Sequence, residues 1–242
     1  MLMVPESINS KYRFKKQIGH GGIASVYLLE NKENQNEKTV LKSIFTGDLN
    51  KEQIDTINKE IKYLTKFSKY ENSVKLIESI NEDNNIFILM EYCDMNLEQY
   101  VKERFKEENP LTINEIRNIL FNLNNILKIL YRNHIAHRDL KPSNILLKFI
   151  EKNNFIVKLS DYGNTKNIIN SSKLQSNFKG TAIFKATEII QNENEYNAIT
   201  ADLWCIGILI YFMLKGDYPF NNEYEIMNNK KKLKFLSIMI KI

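Results

Sequence analysis

The sequence predicts an α+β protein of two unequal lobes: a small, β-rich first lobe with one main helix and a larger, mostly helical second lobe. Three observations carry this. From Phe14 to Ile44, β-branched and aromatic residues alternate with polar ones and are broken by glycines at 19, 21 and 22, as in short strands joined by a turn. Between Lys51 and Phe67, Ile54, Ile57, Ile61 and Leu64 recur at helical spacing. Thr112 with Glu115 three residues on forms a capping box that opens a second helix, whose Ile116, Ile119, Leu120, Leu123, Ile126, Leu127 and Leu130 share one broad face.

Taken in order, the first strands and the 51–67 helix are followed by strand-like runs Val74 to Ile80 and Ile86 to Tyr92, which flank a turn at Asn81 to Asn85 as a hairpin. The segment near Tyr92 to Met95 then reads as a hinge, and a cleft between lobes is a common ligand site. Past the capping box, helices dominate. Ile145 to Leu147 and Phe155 to Leu159 read as short strands, and the apolar run Trp204 to Leu214 as a buried core helix.

Composition excludes several classes. The 242 residues are 43% hydrophobic and 26% charged, enough to bury a sizeable core. No uninterrupted apolar run reaches the roughly 18 residues of a membrane span. The N-terminus lacks a basic start and an apolar centre, so an intracellular, cytoplasmic chain is expected. Cys93 and Cys205 lie far apart without metal-ligand spacing and are expected as buried free thiols. Net charge is +5, and the dense basic run Lys230 to Lys234 has no interleaved aromatics or arginines of the kind that read nucleic acid, so no nucleic-acid partner is expected.

The residues that carry chemistry come in a fixed order. Gly19 and Gly21 in GHGGIASV let backbone N–H groups approach phosphate oxygens, although the same glycines serve an ordinary hairpin. Lys42 shares a strand face with Val40 and Ile44, and Glu60 lies between Ile57 and Leu64 on the apolar face of the next helix. Pairing is the simplest account of two charges in apolar company, the alternative being two snorkelling surface residues. His137 to Asn144 then read HRDLKPSN without interruption, and Asp161, Tyr162 and Gly163 follow the strand at Phe155 to Leu159.

This ordered set resembles the catalytic domain of eukaryotic-type protein kinases, serine/threonine branch. The resemblance implies the bilobal kinase fold, with a domain at 12–242 divided into an N-lobe at 12–91, a hinge at 92–95 and a C-lobe at 96–242. It implies that Lys42 holds the α and β phosphates of ATP and that Glu60 positions Lys42. Asp139 would receive the substrate hydroxyl proton, Lys141 would approach the γ-phosphate, and Asn144 and Asp161 would ligate Mg²⁺. Ile18, Gly19 and Gly21 would cover the nucleotide, and Val26, Val40 and Leu146 would sandwich the adenine. Met90 would stand as gatekeeper, with the backbone of Glu91 and Cys93 against the adenine edge. Lys141 and Thr181 are similar to the serine/threonine branch. Protein substrates with Ser or Thr acceptors are the implied partners. Arg138 before Asp139 implies a phosphate on the activation loop, for which Thr165, Ser171, Ser172 and Ser176 are candidates, Ser176 foremost, with Lys166 assisting.

The departures are specific. Tyr162 replaces a usual phenylalanine and adds a hydroxyl that needs a partner if buried. Thr187 replaces a usual proline, and Glu188 would ordinarily pair with a later arginine, yet none follows Arg138. Ser143 and Phe212 stand where basic-directed kinases often carry acids, so a strong preference for arginine before the target is not predicted. The resemblance fades after Phe220, and the chain reads as C-terminally truncated, with exposed apolar surface and an orphaned Glu188 as the expected consequences; 223–242 would be either a substitute helix or the product of an incorrect gene model. The alternatives to an active kinase are a truncated kinase or pseudokinase acting as a nucleotide-binding or scaffold module, and a non-kinase nucleotide-binding protein.

Overall fold

The computed structural model describes residues 4–151, 154–168, 173–174, 181–191 and 196–228. It divides into two compact units, Met1–Cys93 and Asp94–Ile242.

In the first unit, α1 (Glu6–Lys11) precedes three strands, β1 (Tyr12–His20), β2 (Ala24–Asn31) and β3 (Lys38–Phe45). Helix α2 (Lys51–Phe67) and the hairpin β4 (Leu76–Glu82) and β5 (Asn85–Glu91) follow. The five strands form one antiparallel sheet in the order β1-β2-β3-β5-β4. One sheet face is packed with Leu29, Leu41, Phe87 and Leu89, and Ile8 of α1 joins them at 1% exposure. That helix, upstream of the first expected strand, was not foreseen; six residues hold too little periodicity to register. The hairpin turn is tighter than expected. Asp83 and Asn84 both adopt positive φ, 49° and 58°, forming a two-residue turn that matches the strand twist and lets pairing extend to Glu82 opposite Asn85.

Helix α2 starts at Asn50, whose side chain accepts from the Gln53 N–H while the Gln53 side chain accepts from the Asn50 N–H. Its buried face carries Ile57, Tyr63, Leu64, Phe67 and, among them, Glu60.

The second unit opens with β6 (Met95–Asn96), α3 (Leu97–Lys106), α4 (Ile113–Arg132) and β7 (Ile135–Ala136). Then come β8 (Ile145–Glu151), β9 (Asn154–Leu159), β10 (Lys166–Asn167), β11 (Lys173–Leu174), α5 (Thr187–Ile190), β12 (Tyr196–Asn197), α6 (Ala198–Lys215) and α7 (Glu223–Asn228). Strands β6, β8 and β9 form a three-stranded sheet, and β7–β10 and β11–β12 pair as two-residue ladders. Helix α3 carries a second Asn/Gln capping box, Asn96 with Gln99, a start signal of the same kind as that of α2. Helix α4 begins at Thr112 as expected, with Ile116, Ile119, Leu123, Ile126, Leu127 and Leu130 buried.

Helix α6 begins six residues before the run that announced it and ends one residue after it, and its 18 residues are long and apolar enough to cross a membrane by length and composition. Half of that helix is buried inside the protein, including Ala201, Asp202, Cys205, Ile208, Leu209, Phe212 and Met213, as in a core helix. It ends at Gly216, whose φ of 72° is the left-handed cap that glycine adopts without a Cβ penalty. Cys205 is a buried free thiol, but Cys93 is half-exposed rather than buried because it ends the first unit beyond β5.

Candidate active site

In the first unit, strand register gathers the expected nucleotide-binding residues on one face. Lys42 stands opposite Val26 on β2 and Ile88 on β5, and Val40 stands opposite Met90. Opposed residues of an antiparallel pair project to the same side, so Val26, Val40, Lys42 and Met90 share the sheet face opposite to the one carrying Leu41 and Leu89. Both carboxylate oxygens of Glu60 lie 2.7 Å from Lys42 Nζ. Glu60 is 6% exposed and Lys42 half-buried, so the ion pair is largely withdrawn from solvent.

Gly19 opposes Val26 across the first ladder, and Gly21 donates its N–H to Ala24 O at 2.8 Å to close the turn. A Cβ at Gly21 would meet nothing nearer than 3.8 Å, and one at Gly22 nothing within 4 Å. Neither glycine has a positive φ. Internal packing therefore does not require them, and what their absent side chains provide is an open outer surface. Ile18 beside them is exposed. Farther along, the Glu91 N–H donates to Lys75 O at 3.0 Å, and its carboxylate accepts from the Lys75 N–H at 2.8 Å, which fixes the strand end that leads to Cys93.

In the second unit the segment His137 to Asn144 is held from beneath by Asp202. One oxygen of this fully buried carboxylate accepts the His137 N–H and the other the Arg138 N–H, both at 2.8 Å. Burial pushes the Asp202 carboxyl above its ordinary range, and His137 and the two backbone N–H groups pull the other way. The two bonds hold Arg138 at a φ of 68°, a left-handed conformation unfavourable to a residue that carries a Cβ. His137 Nε2 donates to Ser160 O at 3.1 Å and Nδ1 accepts the Asp139 N–H at 3.3 Å, a partner set that assigns the ring proton to Nε2.

Asp139 Oδ2 receives Lys141 Nζ at 3.0 Å and Asn144 Nδ2 at 3.1 Å, with Asn164 Nδ2 at 3.5 Å. Asn144 Nδ2 also donates to Asp139 O at 2.9 Å. Because both of those partners are acceptors, the amide oxygen of Asn144 is turned away from Asp139. Ser160 donates its N–H and hydroxyl to Asn144 O, at 3.0 and 2.9 Å, and so ties Asn144 to the residue preceding Asp161. Asp161 has a φ of 59° and is half-exposed. Leu146, half-buried on β8, pairs with Asn96 and Lys158.

Residues 12–242 match the protein kinase domain family. The chain belongs to that family. The kinase domain is 32% identical over 218 residues to human serine/threonine-protein kinase ULK1, covering 87% of this chain and 20% of that protein. Serine/threonine-protein kinase atg1 of Dictyostelium discoideum is 32% identical over 235 residues, 92% of this chain and 34% of its own length. Serine/threonine-protein kinase TOS3 of Saccharomyces cerevisiae is 31% identical over 228 residues, 87% and 38% respectively. The kinase domain therefore spans less than two fifths of the length of these relatives.

Several functional neighbours escaped the sequence reading. Asp202 is one of them, although a lone carboxylate in so apolar a helix signals that donors must surround it. Tyr196, whose hydroxyl accepts Arg138 Nε at 3.0 Å, gave no signal because the pair is 58 residues apart. Tyr162 is fully buried and its hydroxyl reaches Leu159 O at 3.5 Å, while its ring meets His137 edge-on at 5.5 Å. Thr165, one candidate phosphate acceptor, is only 3% exposed and donates its hydroxyl to Tyr162 O, so it is packed rather than presented. Ser171, Ser172, Ser176 and the basic run at 230–234 lie outside the described residues. Thr181 Oγ1 lies 3.4 Å from Lys141 Nζ. Among the described residues, Glu188 receives only a long hydrogen bond from the Thr187 hydroxyl, 3.4 Å.

Proposed function

We propose that this chain transfers the γ-phosphoryl group of ATP, with Mg²⁺, to serine and threonine hydroxyls of proteins. The observation that supports it most is the asymmetry of Asp139. Its Oδ2 takes the donors from Lys141, Asn144 and Asn164, and its Oδ1 takes none among the described residues. A carboxylate clamped on one oxygen presents the other as a fixed base.

Asn144 and Asp161 offer an amide oxygen and a carboxylate, hard oxygen donors of the kind Mg²⁺ selects. No cluster of three or more His, Cys, Asp or Glu that suits a metal occurs among the described residues. That pattern fits an ion held by one or two side chains together with phosphate oxygens rather than by a closed protein cage. When bound, Mg-ATP supplies the phosphoryl group and part of the positive charge that its oxygens require. Lys42, braced by Glu60, supplies a further cation for the α and β phosphates. Lys141 stands ready for the charge that develops on the transferred group, and Asp139 Oδ1 would take the proton of the acceptor hydroxyl as its oxygen bonds to the γ-phosphorus and the bond from that phosphorus to the bridging oxygen breaks, releasing ADP.

Incubation with radiolabelled ATP and a generic protein substrate, followed by phosphoamino-acid analysis, tests this reading. Label on serine or threonine that is absent with Asp139→Asn is expected; label on tyrosine alone, or equal label with the variant, would reject it.

A further inference from the structure

The second unit carries a groove of about 310 Å³ that shares no residue with the segment His137 to Asn144. Its floor is apolar: Met95, Tyr100 and Phe149 line it, and Phe155 braces the two rings, edge-on to Tyr100 at 5.4 Å and to Phe149 at 5.5 Å. Three exposed carboxylates, Glu103, Glu107 and Glu151, complete the lining. The one cation there, Arg104, is already spent. Its guanidinium donates to Glu115 at 2.7 Å, to Asn109 O at 2.7 Å and to the Tyr100 hydroxyl at 2.8 Å.

The placing of these acids works against the local helix. Glu103 and Glu107 stand one turn apart, where like charges weaken a helix, and both sit at the C-terminal end of α3, where the dipole favours cations. Neither forms an ion pair among the described residues, whereas Glu98 of the same helix pairs with Lys102. On a chain of net charge +5, an unneutralised acidic rim around an aromatic floor is complementary to one kind of ligand.

We propose that this groove docks a segment of a partner protein that combines lysine or arginine side chains with an apolar anchor: the anchor rests on Tyr100 and Phe149, and the cations meet Glu103, Glu107 and Glu151. Such docking is independent of phosphoryl transfer and would hold a partner whether or not the chain is catalytically active.

The test is fluorescence anisotropy on the whole chain with a labelled synthetic peptide in which lysines alternate with leucines, and with a control peptide in which the lysines are replaced by glutamates. Saturable binding of the basic peptide alone, weakened by rising salt, is expected. The combined variant Glu103→Lys, Glu107→Lys, Glu151→Lys should weaken it by about tenfold or more. A charge-matched control with Glu33→Lys, Glu78→Lys and Glu82→Lys, exposed acids of the first unit, should leave it within about twofold. All six positions are exposed, and an unchanged melting temperature verifies folding. Absence of binding, equal binding of both peptides, or equal losses in the two combined variants would overturn the proposal. So would self-association of the unaltered chain that the groove variant abolishes without any peptide binding, because the groove would then belong to a second copy.

Discussion

At the scale of single residues, the buried polar groups decide most. Asp202 satisfies two backbone N–H groups that would otherwise be orphaned in the interior, and in doing so sets the turn that aims Asp139. Tyr162 illustrates the opposite case. Its hydroxyl lies 3.5 Å from Leu159 O, the limit of a hydrogen bond, while its ring is fully buried against His137. Tyr162→Phe keeps the ring packing and removes only a hydroxyl, so it should cost about 0.5–1.5 kcal/mol, measured by urea unfolding. A loss of several kcal/mol would mean that the hydroxyl holds the turn. The chemistry-bearing residues were legible in the sequence because they are contiguous or ordered: Lys42, Glu60, His137 to Asn144 and Asp161. Their supports, Asp202, Tyr196 and Ser160, were not, because each acts across 16 to 65 residues of sequence and its type alone gives no signal.

At the scale of elements, local signals and tertiary constraints can be separated. The capping box of α4 also anchors α3, since Glu115 accepts from Thr112 N–H at 2.7 Å and from Arg104 at 2.7 Å. Burial pushes the Glu115 carboxyl up, but the Arg104 and Thr112 hydrogen bonds outweigh it and leave the group below its ordinary range. A depressed carboxyl stabilises the fold above its unfolded value, near pH 4.3, and loses that contribution as pH falls through the folded value. Glu115→Gln should thus lower the melting temperature at pH 7, and the difference should shrink as pH falls below about 4. A difference that stays constant with pH would contradict this. Gly216 offers a second element-scale test. It caps α6 at positive φ, and a Cβ there would sit 2.6 Å from the Phe105 ring. Gly216→Ala should cost about 1–3 kcal/mol in unfolding free energy, from the left-handed backbone and the displaced ring together.

At the scale of the whole molecule, each unit contributes a distinct part of the proposed chemistry. Met1–Cys93 supplies the Lys42–Glu60 pair and a sheet face bearing Val26, Val40 and Met90. Asp94–Ile242 supplies the Asp139 cluster, Asn144 and Asp161. The α+β class and the long helices were readable because hydrophobic periodicity survives over three or more turns, as in α2 and α4. The short elements α1, β7, β10 and β12 were not, since each is fixed by pairing or packing rather than by its own pattern. The acidic groove beside α3 was illegible for a related reason: Glu103 and Glu151 become neighbours only when β8 folds against the helix.

The central claim is that Asp139 is the base of phosphoryl transfer to a protein hydroxyl. It is tested most directly by measuring the transfer rate at saturating Mg-ATP, with nucleotide affinity in parallel, for the unaltered chain and Asp139→Asn. The account predicts an affinity within about twofold and a rate lower by roughly a thousandfold in the variant. Equal transfer rates at equal affinity would contradict it.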